Sequence, residues 1–163
     1  MAERDRPLLA VLIDAMDILH GGRFDGFVLV SSDSDFTALA NRLREDGLSV
    51  IGIGEKKTPE ALRNVCNRFI FIENIGGNGK RSGPSESADT ALPLIRSAID
   101  KIDQEDEWYN LSTIANAIMA AHPDFDTRSY GHNKFSSMVK EMPQFEMRKE
   151  AHNIYIRLKR NKG

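Results

Sequence analysis

The sequence predicts an α/β protein in which a parallel sheet is followed by a small helical module closed by a β-hairpin. Three observations carry this. Short apolar runs at residues 27–30, 48–53 and 69–72 alternate with stretches of helical periodicity, and strand, helix, strand, helix, strand implies parallel strands joined by right-handed crossovers. Residues 73–87 then hold four glycines and little that could be buried. Beyond that stretch the pattern turns to helices.

Each element has its own signal. Phe36, Leu39, Ala40 and Leu43 fall at helical spacing over residues 36–44, with Gly47 placed as the C′ residue. Thr58, Pro59 and Glu60 read as N-cap, first-turn proline and early acid of a helix running to about Cys66. Residues 8–19 admit two readings. The preferred one is a buried strand ending at Asp14 and passing into a helix; the other is a helix over residues 10–19 that stops at Gly21-Gly22. In the second half, helices are predicted over residues 90–102, 111–121 and 132–142. Two short strands follow at 145–148 and 154–158, joined through 149–153 as a hairpin. Three helices and a hairpin form the winged-helix pattern, which often meets nucleic acid through a helix and the wing. The resulting division is a first domain at 1–73, a linker at 74–88 and a second domain at 89–163.

The 163 residues are 40% hydrophobic and 28% charged, an ordinary balance for a folded protein, and two small domains fit within that length. The apolar run at residues 8–13 is far too short to cross a bilayer, and residues 2–7 mix both charge signs, so a cytosolic location is expected. Cys66 is the only cysteine, which leaves no disulfide within the chain and no cysteine-rich zinc site; it reads as a buried small hydrophobe. A net charge of −2 argues against coating nucleic acid by charge alone, although Arg157, Lys159, Arg160 and Lys162 form one concentrated basic stretch.

In an open α/β sheet, ligands bind beyond the carboxyl ends of the strands. The turn after Val30 is such a place, and it contains Asp33 and Asp35 among Ser31, Ser32 and Ser34. Two carboxylates one residue apart are hard oxygen ligands suited to Mg²⁺ or Mn²⁺. Asp14, if it ends an adjacent strand, would add a third. The same residues have plain structural readings: Asp33 or Ser34 as a helix N-cap, Asp35 as a first-turn acid, Asp14 as a helix surface residue. Glu55, Lys56 and Lys57 follow the next strand and are expected mainly as a solvated charged turn. Gly76-Gly77-Asn78-Gly79-Lys80 lacks the spacing of a phosphate loop.

The run Ser31-Ser32-Asp33-Ser34-Asp35-Phe36, behind Phe27-Val28-Leu29-Val30 and ahead of Leu48-Ser49-Val50-Ile51-Gly52-Ile53, resembles bacterial NYN domains of the PIN-like nuclease group. The resemblance implies a Rossmann-like fold in which acidic residues hold a divalent ion for RNA cleavage. Asp33 and Asp35 match the family's acidic turn. Family members open with a strand ending in an Asp-Ala-Asp-Asn-type motif. Further helices and strands follow, and only later a helix similar to Ile13-Asp14-Ala15-Met16-Asp17-Ile18-Leu19. Here no asparagine follows Asp14, and both segments cannot be fully present, so the sheet is expected to be partial. An incomplete sheet leaves open edges, which makes a homo-oligomer one expectation.

The second half resembles the LOTUS or OST-type helix-turn-helix domain, on Leu94-Ile95, Ala98-Ile99, Trp108, Leu111, Ile114, the run Pro123-Asp124-Phe125-Asp126 with Thr127-Arg128-Ser129-Tyr130-Gly131, and Phe135. That resemblance implies RNA binding, and in some members a protein partner. Trp108, Phe125, Tyr130, Phe135, Phe145 and Tyr155 are expected first as core. Arg128, Lys134, Lys140, Arg157 and Lys159 are the expected phosphate contacts, since backbone charge dominates RNA affinity. His122, His132 and His152 lack ligand spacing. Together these features predict a metal-dependent endoribonuclease with an RNA-binding module, or a non-catalytic RNA-binding or adaptor protein built on the same parts.

Overall fold

A computed structural model describes residues 5–75 and 86–159, with side chains from Leu9 onward. The chain divides into two compact units, Met1–Gly76 and Gly77–Gly163. Most of the linker expected at 74–88 lies outside the described residues. At its flanks, Ile72–Asn74 is a turn of 3-10 helix, and the Glu86 N–H already donates to Ser129 O at 3.0 Å.

The first unit opens with α1 (Asp5–His20), one uninterrupted helix. This corrects the preferred reading of a strand ending at Asp14. Leu12, Ala15, Met16 and Leu19 recur at the spacing of one helix face, and it is this face that meets the core. The helix stops at the glycine pair: Gly21 N–H bonds back to Asp17 O and Ile18 O, and Gly22 takes φ 61°, which favours glycine.

Three strands follow, β1 (Gly26–Val30), β2 (Ser49–Gly54) and β3 (Arg68–Phe71), all parallel and in the order β1-β2-β3. Between them run α2 (Thr37–Glu45) and α3 (Glu60–Val65). The register sets Phe27 beside Val50 and Leu29 beside Gly52, and Gly52 beside Phe69. That face forms the core with Leu39, Ala40, Leu43, Leu62 and Val65 from the helices. The sheet's other face carries Val28, Val30, Ile51, Ile53 and Ile70, none of which joins that core; Val28 and Val30 are 61% and 67% exposed. Gly52 has to be glycine, because a Cβ there would lie 2.5 Å from the Phe69 ring. Gly47 closes α2 at φ 84° as its place in the sequence predicts. Thr58 does not cap α3. Its hydroxyl donates to Glu55 O at 2.6 Å and Pro59 takes the cap position, with its carbonyl accepting from Leu62 N–H. Cys66 is buried, and that burial pushes its thiol pKa up.

The second unit comprises α4 (Leu92–Asp100), β4 (Tyr109–Asn110), α5 (Leu111–Ala121), α6 (Phe135–Glu141), β5 (Phe145–Glu150) and β6 (Asn153–Leu158). Helix α5 has the bounds its sequence predicts, with Asn110 accepting the Ser112 N–H as its cap. Helix α6 starts three residues later than expected, because Gly131 at φ 82° ends a 3-10 turn over Thr127–Tyr130 and breaks the path. The hairpin is tighter than expected: Glu150 pairs with Asn153, and Ala151 turns the chain at φ 50°. Strand β4, not anticipated, adds to the free side of β6 to give the order β4-β6-β5.

The core of this unit is aliphatic, built on Ile95, Ile99, Ile114, Ile118, Met138, Val139, Met142 and Ile156. Of the six aromatics expected there, only Phe145 is buried in it. Phe125, Tyr130 and Phe135 pack around its side with ring centroids 5.8 Å apart. Trp108 lies outside the core, with the Arg148 and Arg157 guanidiniums 4.4 and 4.8 Å from its ring. Aliphatic and methionine side chains fill the close-packed interior, and the rings of Phe125, Tyr130 and Phe135 pack against it only partly buried.

Candidate functional site

The carboxyl ends of β1, β2 and β3 share one edge of the parallel sheet, and each is followed by acidic residues: Asp33 and Asp35, then Glu55, then Glu73. The turn after β1 is built by short-range hydrogen bonds that its serines and aspartates make possible. Asp33 N–H donates to Ser31 Oγ at 3.1 Å, and Asp35 N–H donates to Asp33 Oδ1 at 3.1 Å, so Asp33 caps the 3-10 turn Ser34–Phe36. Thr37 Oγ1 closes the turn by donating to Ser34 O at 2.6 Å.

Two further bonds fix this turn to its neighbour strand. Ser31 N–H donates to Ile53 O at 2.9 Å, and Glu55 N–H donates to Ser32 Oγ at 2.8 Å. The next loop is tied to the third in the same way, through Lys56 N–H and Glu73 Oε1 at 3.0 Å. That hydrogen bond, with help from the Lys56 and Lys57 charges, holds the Glu73 carboxyl below the usual glutamate range. Lys57 pairs with Glu55 at 2.8 Å, and this hydrogen bond raises its pKa. Glu73 was not singled out from sequence. Its position just past a parallel strand was the available signal, the same one that picked out Asp33.

Both Asp33 and Asp35 are exposed at this edge. Asp14 stands exposed on α1, and among the described residues no three or more His, Cys, Asp or Glu side chains gather where they could hold a metal ion. Asp33 and Asp35 thus share one turn, while Asp14 lies on helix α1. The donor chemistry still suits a hard cation, since Mg²⁺ is commonly bound by one or two carboxylates together with water and substrate phosphate.

The family profile described as the NYN domain matches residues 9–73, and that described as the OST-HTH/LOTUS domain matches residues 84–156. The chain is an NYN domain followed by an OST-HTH/LOTUS domain. No curated protein and no solved structure gives a significant match. An NYN domain is nuclease-like and a LOTUS domain is of an RNA-binding kind, so the pairing supports a ribonuclease or RNA-binding role. No helix among the described residues is long and apolar enough to cross a membrane.

In the LOTUS domain the expected phosphate contacts differ in how they are held. Arg128 is gripped by Asp126, with Nη2 2.7 Å from Oδ2 and Nε 3.0 Å from Oδ1, and this hydrogen bonding raises its pKa further. Arg157 donates to Glu146 at 2.7 Å, approaches Glu107 at 3.8 Å and stacks on Trp108. Lys134 and Lys140 are exposed at the two ends of α6, and Lys159 is exposed just past β6. Arg160 and Lys162 lie outside the described residues.

Proposed function

We propose that this chain is a metal-dependent endoribonuclease whose LOTUS domain holds RNA and whose NYN domain presents Asp33 and Asp35 to a Mg²⁺ or Mn²⁺ ion. The observation that carries the reading is the acidic turn itself. It lies at the carboxyl edge of a parallel sheet, where such sheets bind ligands, and is fixed to β2 through Ser31 and Ser32. When bound, the ion supplies charge stabilisation for a phosphodiester and a water of lowered pKa. The chain's own residues hold and orient: Asp33 and Asp35 supply oxygen, Ser32 fixes the turn to the Glu55 loop, and Lys56 adds positive charge beside it. Lys134, Lys140 and Lys159 supply phosphate contacts on the LOTUS domain. We assign the domains to residues 1–73 and 89–163.

A specific observation favours a second reading, a non-catalytic RNA-binding protein. Asp33 Oδ1 already caps Asp35, and Asp14 stands on a helix instead of completing a trio. Mn²⁺ titration of the whole chain and of an Asp33→Asn, Asp35→Asn double variant, run beside cleavage of labelled RNA, separates the two. Binding and cleavage that both vanish in the double variant support the nuclease. RNA binding without cleavage at any Mn²⁺ concentration supports the second reading.

A further inference from the structure

Strand β1 is an edge of the three-stranded sheet, and among the described residues its polar backbone is only half used. Ser31 N–H and Asp25 O both point at β2, through Ile53 O and Ser49 N–H. Because successive residues of a strand point their N–H and C=O to opposite sides, residues 25, 27, 29 and 31 serve β2. Gly26, Val28 and Val30 turn theirs outward. The other edge, β3, is only four residues long and begins with a charge at Arg68. Strand β1 has none of the usual guards: Gly26–Val30 contains no charge, no proline and no bulge. Val28 and Val30 are also the most exposed large hydrophobics among the described residues, and Phe24, just ahead of the strand, is 57% exposed.

We propose that β1 is a homodimer interface, in which two copies of this chain pair antiparallel through Gly26–Val30 about a two-fold axis at Val28, extending two three-stranded sheets into one. The register follows from the outward groups. Only a pairing centred on Val28 sets all three outward residues opposite outward residues, Val28 on Val28 and Gly26 on Val30. That arrangement makes about six hydrogen bonds, two for each facing pair. It also keeps Val28 and Val30 of both copies on the same uncovered sheet face. The flanks agree in charge, since Arg23 precedes the strand and Asp33 follows it, so antiparallel pairing brings Arg23 of one copy toward Asp33 of the other, and both are exposed. A two-fold contact of this kind is self-complementary and closes at two copies.

The test is the oligomeric state of the whole chain by sedimentation and light scattering across the micromolar range. The unaltered protein is expected to be dimeric. Val28→Lys brings two ammonium groups together at the axis and weakens association by about tenfold or more. Arg23→Asp weakens it less, and adding Asp33→Arg restores it, a rescue that loss of folding cannot imitate. In a hydrogen-bonded pair the Cα atoms lie about 5.5 Å apart, within disulfide reach. Val28→Cys is therefore expected to give a cross-linked dimer under mild oxidation, whereas Val30→Cys, set opposite Gly26, is not. A monomeric unaltered protein, a dimer indifferent to Val28→Lys and Arg23→Asp, or equal cross-linking at both positions overturns the proposal.

Discussion

The carboxylate of Asp33 accepts the backbone N–H of Asp35 at 3.1 Å, so one side chain is both a structural cap and the leading candidate for a metal ligand. The two roles separate by substitution. Asparagine keeps the accepting oxygen and removes the charge, whereas alanine removes both. Asp33→Asn is expected to leave the unfolding midpoint nearly unchanged, and Asp33→Ala to cost about 1 kcal/mol. Both are expected to abolish Mn²⁺ binding. Urea unfolding beside metal titration checks this, and equal stability of the two variants would show that the cap contributes little.

Glu73 gives the first unit a pH signature. Its pKa is lowered chiefly by the Lys56 N–H, so the folded state binds a proton there less readily than the unfolded chain. The stabilisation is complete above the unfolded glutamate value of about 4.3 and is lost as pH falls through the lowered folded value. Glu73→Gln is therefore expected to be less stable than the unaltered protein at neutral pH, with the difference shrinking in acid. Urea midpoints of the two proteins from pH 7 down to pH 3 measure it.

Gly54 is where the sheet leaves no room at the candidate site. A Cβ there would lie 2.6 Å from Ser31 O and 2.7 Å from Thr58 Oγ1, and the first of these is backbone that cannot swing aside. Gly54→Ala is expected to destabilise the first unit by about 1–3 kcal/mol and to weaken Mn²⁺ binding by moving the end of β1. Gly22→Ala serves as a control for stability loss alone, since a Cβ there meets nothing within 4 Å and the cost comes from its φ of 61°.

In the LOTUS domain the cations divide by what already holds them. Lys134→Ala and Lys140→Ala are each expected to weaken RNA binding and to lower the slope of log affinity against log salt by about 0.7, the value for one contact to single-stranded nucleic acid. Arg157 stacks on Trp108 and bonds Glu146, so Arg157→Ala is expected instead to lower the melting temperature with less change in the salt slope. Fluorescence anisotropy over a salt series, paired with thermal unfolding, distinguishes the two classes.

Much of this architecture was legible before folding because it rests on local chemistry. The helical pattern over residues 111–121, with Leu111, Ile114 and Ile118 on one face, predicts α5 over its whole length, and the structure adds the Asn110 cap. Gly47 marks the end of α2 because a left-handed φ suits only a few residue types. The apolar runs at 27–30, 48–53 and 69–72 mark the three strands to within a residue. The acidic turn was legible for the same reason, being a run of consecutive residues, Ser31 to Thr37, whose bonds are mostly to one another.

What the tertiary structure alone decided concerns segments whose local signals are balanced. Residues 8–19 carry both aliphatic β-branching and a helical apolar face, and the choice fell to helix because Leu12, Ala15, Met16 and Leu19 find one core to meet. That choice puts Asp14 on the exposed surface of a helix instead of at the end of a strand. Trp108 reads as core by composition, yet lies at the margin between two arginines that come from β5 and β6, far along the chain. The sequence by itself determined the fold class, the two domains and the two aspartates of the turn. Only the packed structure decided which carboxylates share an edge and which strand is left open. Those outcomes depend on contacts between residues distant in sequence, where the free energy of burial outweighs local preference.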